Sequence, residues 1–145
     1  MKLTRREIVS SVLLACAIRP AFATPAMMEA AIADFTKGRA VTEGRVKLDL
    51  PPLVENGNAV PLTVSVESPM SEQDFIRRIA LFNEKNPQPN IALFHLTPYA
   101  GRAQVSTRIR LGDSQFITAI AETNAGALFS AKAELVVTLP ACAEN

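Results

Sequence analysis

The stretch "MSEQDFIRRIALFNEKNP", residues 70–87, admits two readings, and the fold class turns on which one holds. Read as a helix, it starts with Ser71 as cap and Asp74 closing the first turn, an acidic start that suits the helix dipole. Read as a strand, it runs extended from Phe75 to Phe82, and Asn86-Pro87-Gln88-Pro89 is the turn that follows. The neighbouring sequence arbitrates. Short apolar segments recur on both sides at intervals of about ten residues, the rhythm of an antiparallel sandwich. The spacing therefore predicts a strand from Phe75 to Phe82.

Working outward, "VKLDL" alternates, with Val46, Leu48 and Leu50 on one face. Asn56-Gly57 is a tight-turn signal, and a β-branched run follows in which Leu62, Val64 and Val66 share a face. "PNIALFHLTP", "GRAQVSTRIRL", "QFITAIAET" and "SAKAELVVTL" continue the series, separated by turns at Gly101, Gly112-Asp113 and Asn124-Ala125-Gly126. Before all of these, "TPAMMEAAIADFTKG" reads as one short helix: Thr24 caps it, Pro25 takes the first position, Met28, Ile32 and Phe35 recur at helical spacing, and Gly38 ends it. The expected fold class is all-β, an immunoglobulin-like antiparallel sandwich with a short N-terminal helix and a flexible C-terminal arm.

The first residues, "MKLTRREIVSSVLLACAIRPAFATPA", have the parts of an export signal: a basic start, an apolar stretch from Ile8 to Ile18, and Ala21-Phe22-Ala23 before a cleavage point. Arg5-Arg6 marks it as the twin-arginine type, which implies export to the periplasm. A competing reading makes Leu13-Leu14-Ala15-Cys16 a lipobox, with Cys16 lipidated and the protein anchored to a membrane. The expected organisation is a leader over 1–23, helix and linker over 24–44, a sandwich over 45–139 and an arm over 140–145. With 145 residues, 48% of them hydrophobic, the chain can bury a core as one domain. Losing the leader shifts the formal charge of +1 to slightly negative, which argues against nucleic acid as a partner.

Cleavage after Ala23 also removes Cys16 and leaves Cys142 as the single cysteine. With one histidine, His95, and one thiol, a metal site is not expected. His95 reads as a packed or rim histidine rather than a catalytic base. No G-x-S-x-G nucleophile motif and no phosphate-cradling glycine pattern occur, so no cofactor site is expected. Arg108 and Arg110 share a strand face and read as solvent-facing residues paired with nearby carboxylates. Beside Cys142 stand Glu144 and the carboxylate of Asn145, whose charge disfavours the reactive thiolate. The thiol thus suits a substrate presented on a tail better than a self-activated catalyst. Residues Pro140, Ala141, Cys142, Ala143, Glu144 and Asn145 span about 20 Å when extended.

The segments "LPPLVENGNAVPLTVSVESPM", "FIRRIALFNEK" with its "NPQP" turn, "FHLTPYAGRAQVSTRIRL", "SQFITAIAE" and the cysteine after the last strand follow one another in order. Together they resemble the SoxY family, the sulfur-carrying subunit of the SoxYZ complex in thiosulfate oxidation. The resemblance implies a non-enzymatic carrier exported with a SoxZ-like partner. It implies that Cys142 holds sulfur covalently and is served by other periplasmic enzymes. The usual family tail is Gly-Gly-Cys-Gly-Gly. Here Pro140, Ala141, Ala143 and Glu144 flank the cysteine, closer to related proteins with an Ala-Ala-Cys-Ile-Glu arm. Without glycine, the arm is stiffer and bulkier. Two alternatives stand beside the carrier: a binding or assembly module that does not use its cysteine, and a thiol redox enzyme, which would lack a resolving cysteine.

Overall fold

The computed structural model describes residues 23–141. Residues 1–22, which hold all of the expected leader but Ala23, including its twin arginines and Cys16, and the tail residues Cys142, Ala143, Glu144 and Asn145 lie outside them. Helix α1 spans Pro25–Thr36; the strands are β1 Val41–Glu43, β2 Val46–Asp49, β3 Leu53–Val54, β4 Val60–Val66, β5 Ile76–Asn83, β6 Asn90–His95, β7 Ala103–Ile109, β8 Gln115–Thr123 and β9 Leu128–Val137. Two single-turn 3-10 helices, Gly57–Ala59 and Pro98–Ala100, fill loops. The larger sheet has the order β1-β9-β8-β5-β6, with β3 also on β9; the smaller has the order β2-β4-β7. The two sheets make the expected immunoglobulin-like sandwich.

The ambiguous stretch is strand β5, and its helix-like opening has a physical cause. Ser71 Oγ accepts the Asp74 N–H at 3.1 Å, the bond a helix cap would make, and Ser71 N–H donates to the Asp74 carbonyl at 2.9 Å. Those bonds close a turn instead, and the chain enters β5 extended. The strand pairs antiparallel with both β6 and β8. Ile79 and Leu81 face the space between the sheets, while Ala80 and Phe82 face the helix. Covered on both sides, β5 carries a continuous apolar run where a strand with one wet face would alternate.

Between the sheets, Val60, Leu62, Val64 and Val66 of β4 pack against Ile76 and Ile79 of β5, Ile117, Ala119 and Ala121 of β8, and Leu135 of β9. The helix lies on the outer face of the larger sheet, where Met28 is buried with Ala80, Phe82, Ile120 and Leu128. Thr24 caps it by accepting the Met27 N–H, and Lys37 (φ 54°) and Gly38 (φ 72°) end it in left-handed conformation. Phe35 meets Phe82 edge-on with ring centroids 6.0 Å apart. Its other side carries the Arg78 guanidinium, 4.7 Å from the ring centre.

One feature departs from a purely antiparallel sandwich. Both β1 and β3 pair with β9 in parallel, at Val41–Glu43 against Leu128–Ser130 and at Leu53–Val54 against Val136–Val137. Between them the chain crosses to the smaller sheet as β2. The crossing is held by Arg45 (φ 58°), which donates to the Glu67 carbonyl and stacks over the Phe129 ring at 4.6 Å. Strand β1 falls in the stretch read from sequence as linker.

Candidate functional site: the root of the C-terminal arm

Strand β9 ends at Val137, but the chain does not leave the sandwich there. Thr138 N–H donates to the Val54 carbonyl at 3.0 Å and Leu139 N–H to that of Glu55 at 3.1 Å, so the parallel pairing with β3 continues beyond the strand. Gly57 N–H then donates back to the Leu139 carbonyl at 2.9 Å. Past Pro140, the Ala141 N–H donates to the Leu111 carbonyl at 3.0 Å. Pro140 has no N–H to hold, so fixing the backbone resumes only at Ala141. The arm begun in sequence at Pro140 is therefore bonded to the domain up to the residue immediately before Cys142.

Gly57 is the hub of this arrangement. Its N–H bonds Leu139, its carbonyl accepts the Leu111 N–H at 2.9 Å, and it is buried. A Cβ there would overlap the Leu111 carbonyl oxygen, stand 2.9 Å from Ala141 N and 3.2 Å from Val137 Cγ1. The Asn56-Gly57 pair, expected to form a tight turn between strands, instead starts a 3-10 helix: Asn56 Oδ1 accepts the Asn58 N–H, and Gly57 has no positive φ. Glycine is required by the close approach of two backbone segments rather than by turn geometry.

Polar side chains fix the rest of this end of the sandwich. Asn86, at the start of the "NPQP" turn, accepts from Gly112 N–H at 3.0 Å and donates to the Arg110 carbonyl at 2.7 Å, gripping both sides of Leu111. Buried Gln115 donates to Asn86 Oδ1 at 3.0 Å and accepts the Lys85 N–H at 3.0 Å. Ser114 Oγ accepts the Val137 N–H at 2.9 Å. Lys85 pairs with Asp113 at 3.0 Å, and that ammonium, together with the Ser114 N–H, holds the Asp113 carboxyl below the usual carboxylate range. Leu53, Val136 and Leu139 are exposed around the root, Leu139 at 66%.

Cys142, Ala143 and Glu144 of the predicted site lie outside the described residues. Pro140 and Ala141 stand at the position just given. His95 is an exposed residue of edge strand β6, on the rim. Arg108 and Arg110 are exposed as expected, but neither makes an ion pair among the described residues. Among those residues, too, no group of three or more His, Cys, Asp and Glu side chains is placed to hold a metal. Sequence reasoning missed the clamp at Gly57 and Leu111; the one visible signal was a glycine before a β-branched run.

The chain matches the family described as "Sulfur oxidation protein SoxY" over residues 32–142. Among solved structures, it superposes on the sulfur carrier protein SoxY from Chlorobium limicola f thiosulfatophilum with TM-score 0.67 and 26% identity, covering 80% of this chain and 100% of that one. The fold is also similar to superoxide reductase (neelaredoxin) from Ignicoccus hospitalis, at TM-score 0.57 and 23% identity over 79% of this chain and 94% of that one. Superoxide reductase from Nanoarchaeum equitans is alike at TM-score 0.56 and 13% identity, over 66% and 100%. These two likenesses concern the fold alone. A search of curated proteins finds no match. A match through most of the sandwich and up to Cys142 settles the family: the chain belongs to the SoxY family of sulfur oxidation proteins.

Proposed function

We propose that this chain is a periplasmic sulfur carrier in which Cys142 holds the cargo covalently while other enzymes do the chemistry. The observation that carries the reading is the anchored Ala141 amide in a SoxY-family chain. It sets the thiol one residue beyond a fixed point, within about 7 Å of held backbone by covalent geometry.

The Cys142 thiolate and thiosulfate join through a new S–S bond, giving Cys–S–S–SO3⁻ and releasing two electrons to a haem enzyme. Water then cleaves the S–SO3 bond, giving a persulfide, sulfate and two protons. The remaining sulfur awaits further oxidation. The carrier contributes the thiol and its placement. A glycine-free tail on a clamped root suits an enzyme that takes the thiol near its surface; a deeper site requires the Ala141 and Leu139 bonds to open. A SoxZ-like subunit is the expected partner, and the twin-arginine leader the expected export route.

The test is Cys142→Ser in full-length protein, mixed with the periplasmic sulfur-oxidising fraction of the same cells and a reduced sulfur compound. The variant melts like the wild type and supports no sulfur-dependent electron release. Wild-type turnover by the variant would make the chain a binding or assembly module instead.

A further inference from the structure

At the opposite end of the larger sheet, about 23 Å along β8 from Gln115, Glu122 is buried on the outer face with its side chain 0% exposed. Three arginines converge on this one carboxylate. Arg39 Nη2 reaches Oε1 at 2.7 Å, Arg77 Nη2 reaches the same oxygen at 2.8 Å, and Arg78 bonds Oε2 through Nε at 2.6 Å and through Nη2. One negative charge thus faces three positive ones.

The arginines are not equally occupied. Arg39 also donates to the carbonyls of Thr36 and Gly126, and Arg78 also stacks on Phe35. These two suffice to neutralise Glu122 and to hold the helix end. Arg77 makes a single bond to Glu122, is 46% exposed, and keeps Nε and Nη1 unused among the described residues. It opens, with Arg78, into a shallow cleft of about 460 Å³ whose other walls are Phe75, His95, Leu96 and Thr97. His95 stands directly across from Arg78 in the β5–β6 ladder. Neither the His95 imidazole nor the Thr97 hydroxyl makes a hydrogen bond among the described residues, and no carboxylate lines the cleft.

We propose that this cleft binds a small, doubly charged tetrahedral oxyanion, held by Arg77, Arg78, His95 and Thr97. The lining supplies donors almost exclusively. The arginine surplus is two charges, and guanidinium forks match tetrahedral oxyanions. The apolar sides of Phe75 and Leu96 lower the local dielectric and strengthen the attraction. The cleft lies at the other end of the larger sheet from the arm root, so it stands whether or not Cys142 carries sulfur.

The experiment titrates sulfate, thiosulfate and phosphate separately into the full chain, with ionic strength held constant by sodium chloride. It follows the arginine Nε and backbone amide NMR signals. Saturable shifts confined to residues 75–78 and 95–97 are expected with each anion. Preference for the two sulfur oxyanions over phosphate would name a sulfur source, and equal binding a general oxyanion site. Arg77→Gln weakens binding about tenfold, the loss of one charge-assisted hydrogen bond. His95→Gln, on an exposed strand position, weakens it about threefold, and Arg108→Gln leaves it unchanged. Linear, non-saturating shifts, or equal affinity in wild type, Arg77→Gln and His95→Gln, would overturn the proposal.

Discussion

Replacing Gly57 by alanine tests the clamp at the arm root with a single methyl group. Gly57 lacks a positive φ, so alanine meets no backbone penalty and the effect comes from contact alone. The added Cβ overlaps the Leu111 carbonyl and stands 2.9 Å from Ala141 N, and both are backbone atoms that cannot rotate away. Relief requires Gly57 to part from both the Leu111 carbonyl and the 138–141 segment, which loses the Ala141 and Gly57 N–H hydrogen bonds at about 1 kcal/mol each. Residual overpacking against Leu111 and Val137 adds about 1–2 kcal/mol. The expected loss is about 3–4 kcal/mol, or roughly 10 °C in Tm for a domain of this size. Urea unfolding measures the first, and hydrogen exchange locates it: Ala141 and Leu139 amides should exchange at the rate of open chain while β8 stays protected. Gly112→Ala is the control, because a Cβ there meets only Asn86 Oδ1 at an ordinary 3.8 Å. A loss below about 0.5 kcal/mol, with the Ala141 amide still protected, would refute the clamp.

Other consequences can be measured on the same protein. Burial pushes the Glu122 carboxyl up, but the hydrogen bonds of Arg77, Arg78 and Arg39 and the charge of Arg78 pull it down further, to about 2 from 4.5. A depressed folded-state pKa means the stabilisation is present above pH 4.5 and lost as pH falls toward 2; it is worth at most about 3 kcal/mol, nearer 1–2 once solvent screens the partly exposed arginines. Denaturant midpoints taken from pH 6 to pH 2 should show that decline, and Glu122→Gln should flatten it while costing about 2–3 kcal/mol at pH 7. Phe35→Ala removes both the Phe82 edge contact and the platform under Arg78, and should cost about 2–3 kcal/mol by urea unfolding. Leu111→Ala, fully buried beneath the arm root, should cost about 3 kcal/mol by the same assay.

The sandwich was legible because its strands carry local signals. Leu62, Val64 and Val66 alternate in sequence and are buried in β4, and Thr24, Pro25 and Gly38 mark the helix ends where they stand. The β5 stretch was harder, since a Ser71–Asp74 turn uses the same hydrogen bond as a helix cap, and only the neighbouring strands separate the two. The parallel ladders of β1 and β3 on β9 leave no local trace: three residues and two residues are too short to show a period. The clamp was invisible for a related reason. It joins Gly57, Leu111 and Ala141, which are distant in sequence, through backbone atoms that every residue possesses. Glu122 and its arginines likewise come together only in the folded sheet, where Arg39 arrives from the helix end and Arg77 and Arg78 from β5.

The central claim is that Cys142 is a covalent attachment site, and mass spectrometry of the C-terminal peptide tests it most directly. Protein purified without reductant from cells growing on a reduced sulfur compound should carry added sulfur on Cys142, as a persulfide or an S-thiosulfonate, removable by a thiol reductant. An unmodified Cys142 under every sulfur source that the protein is needed to oxidise would contradict the account.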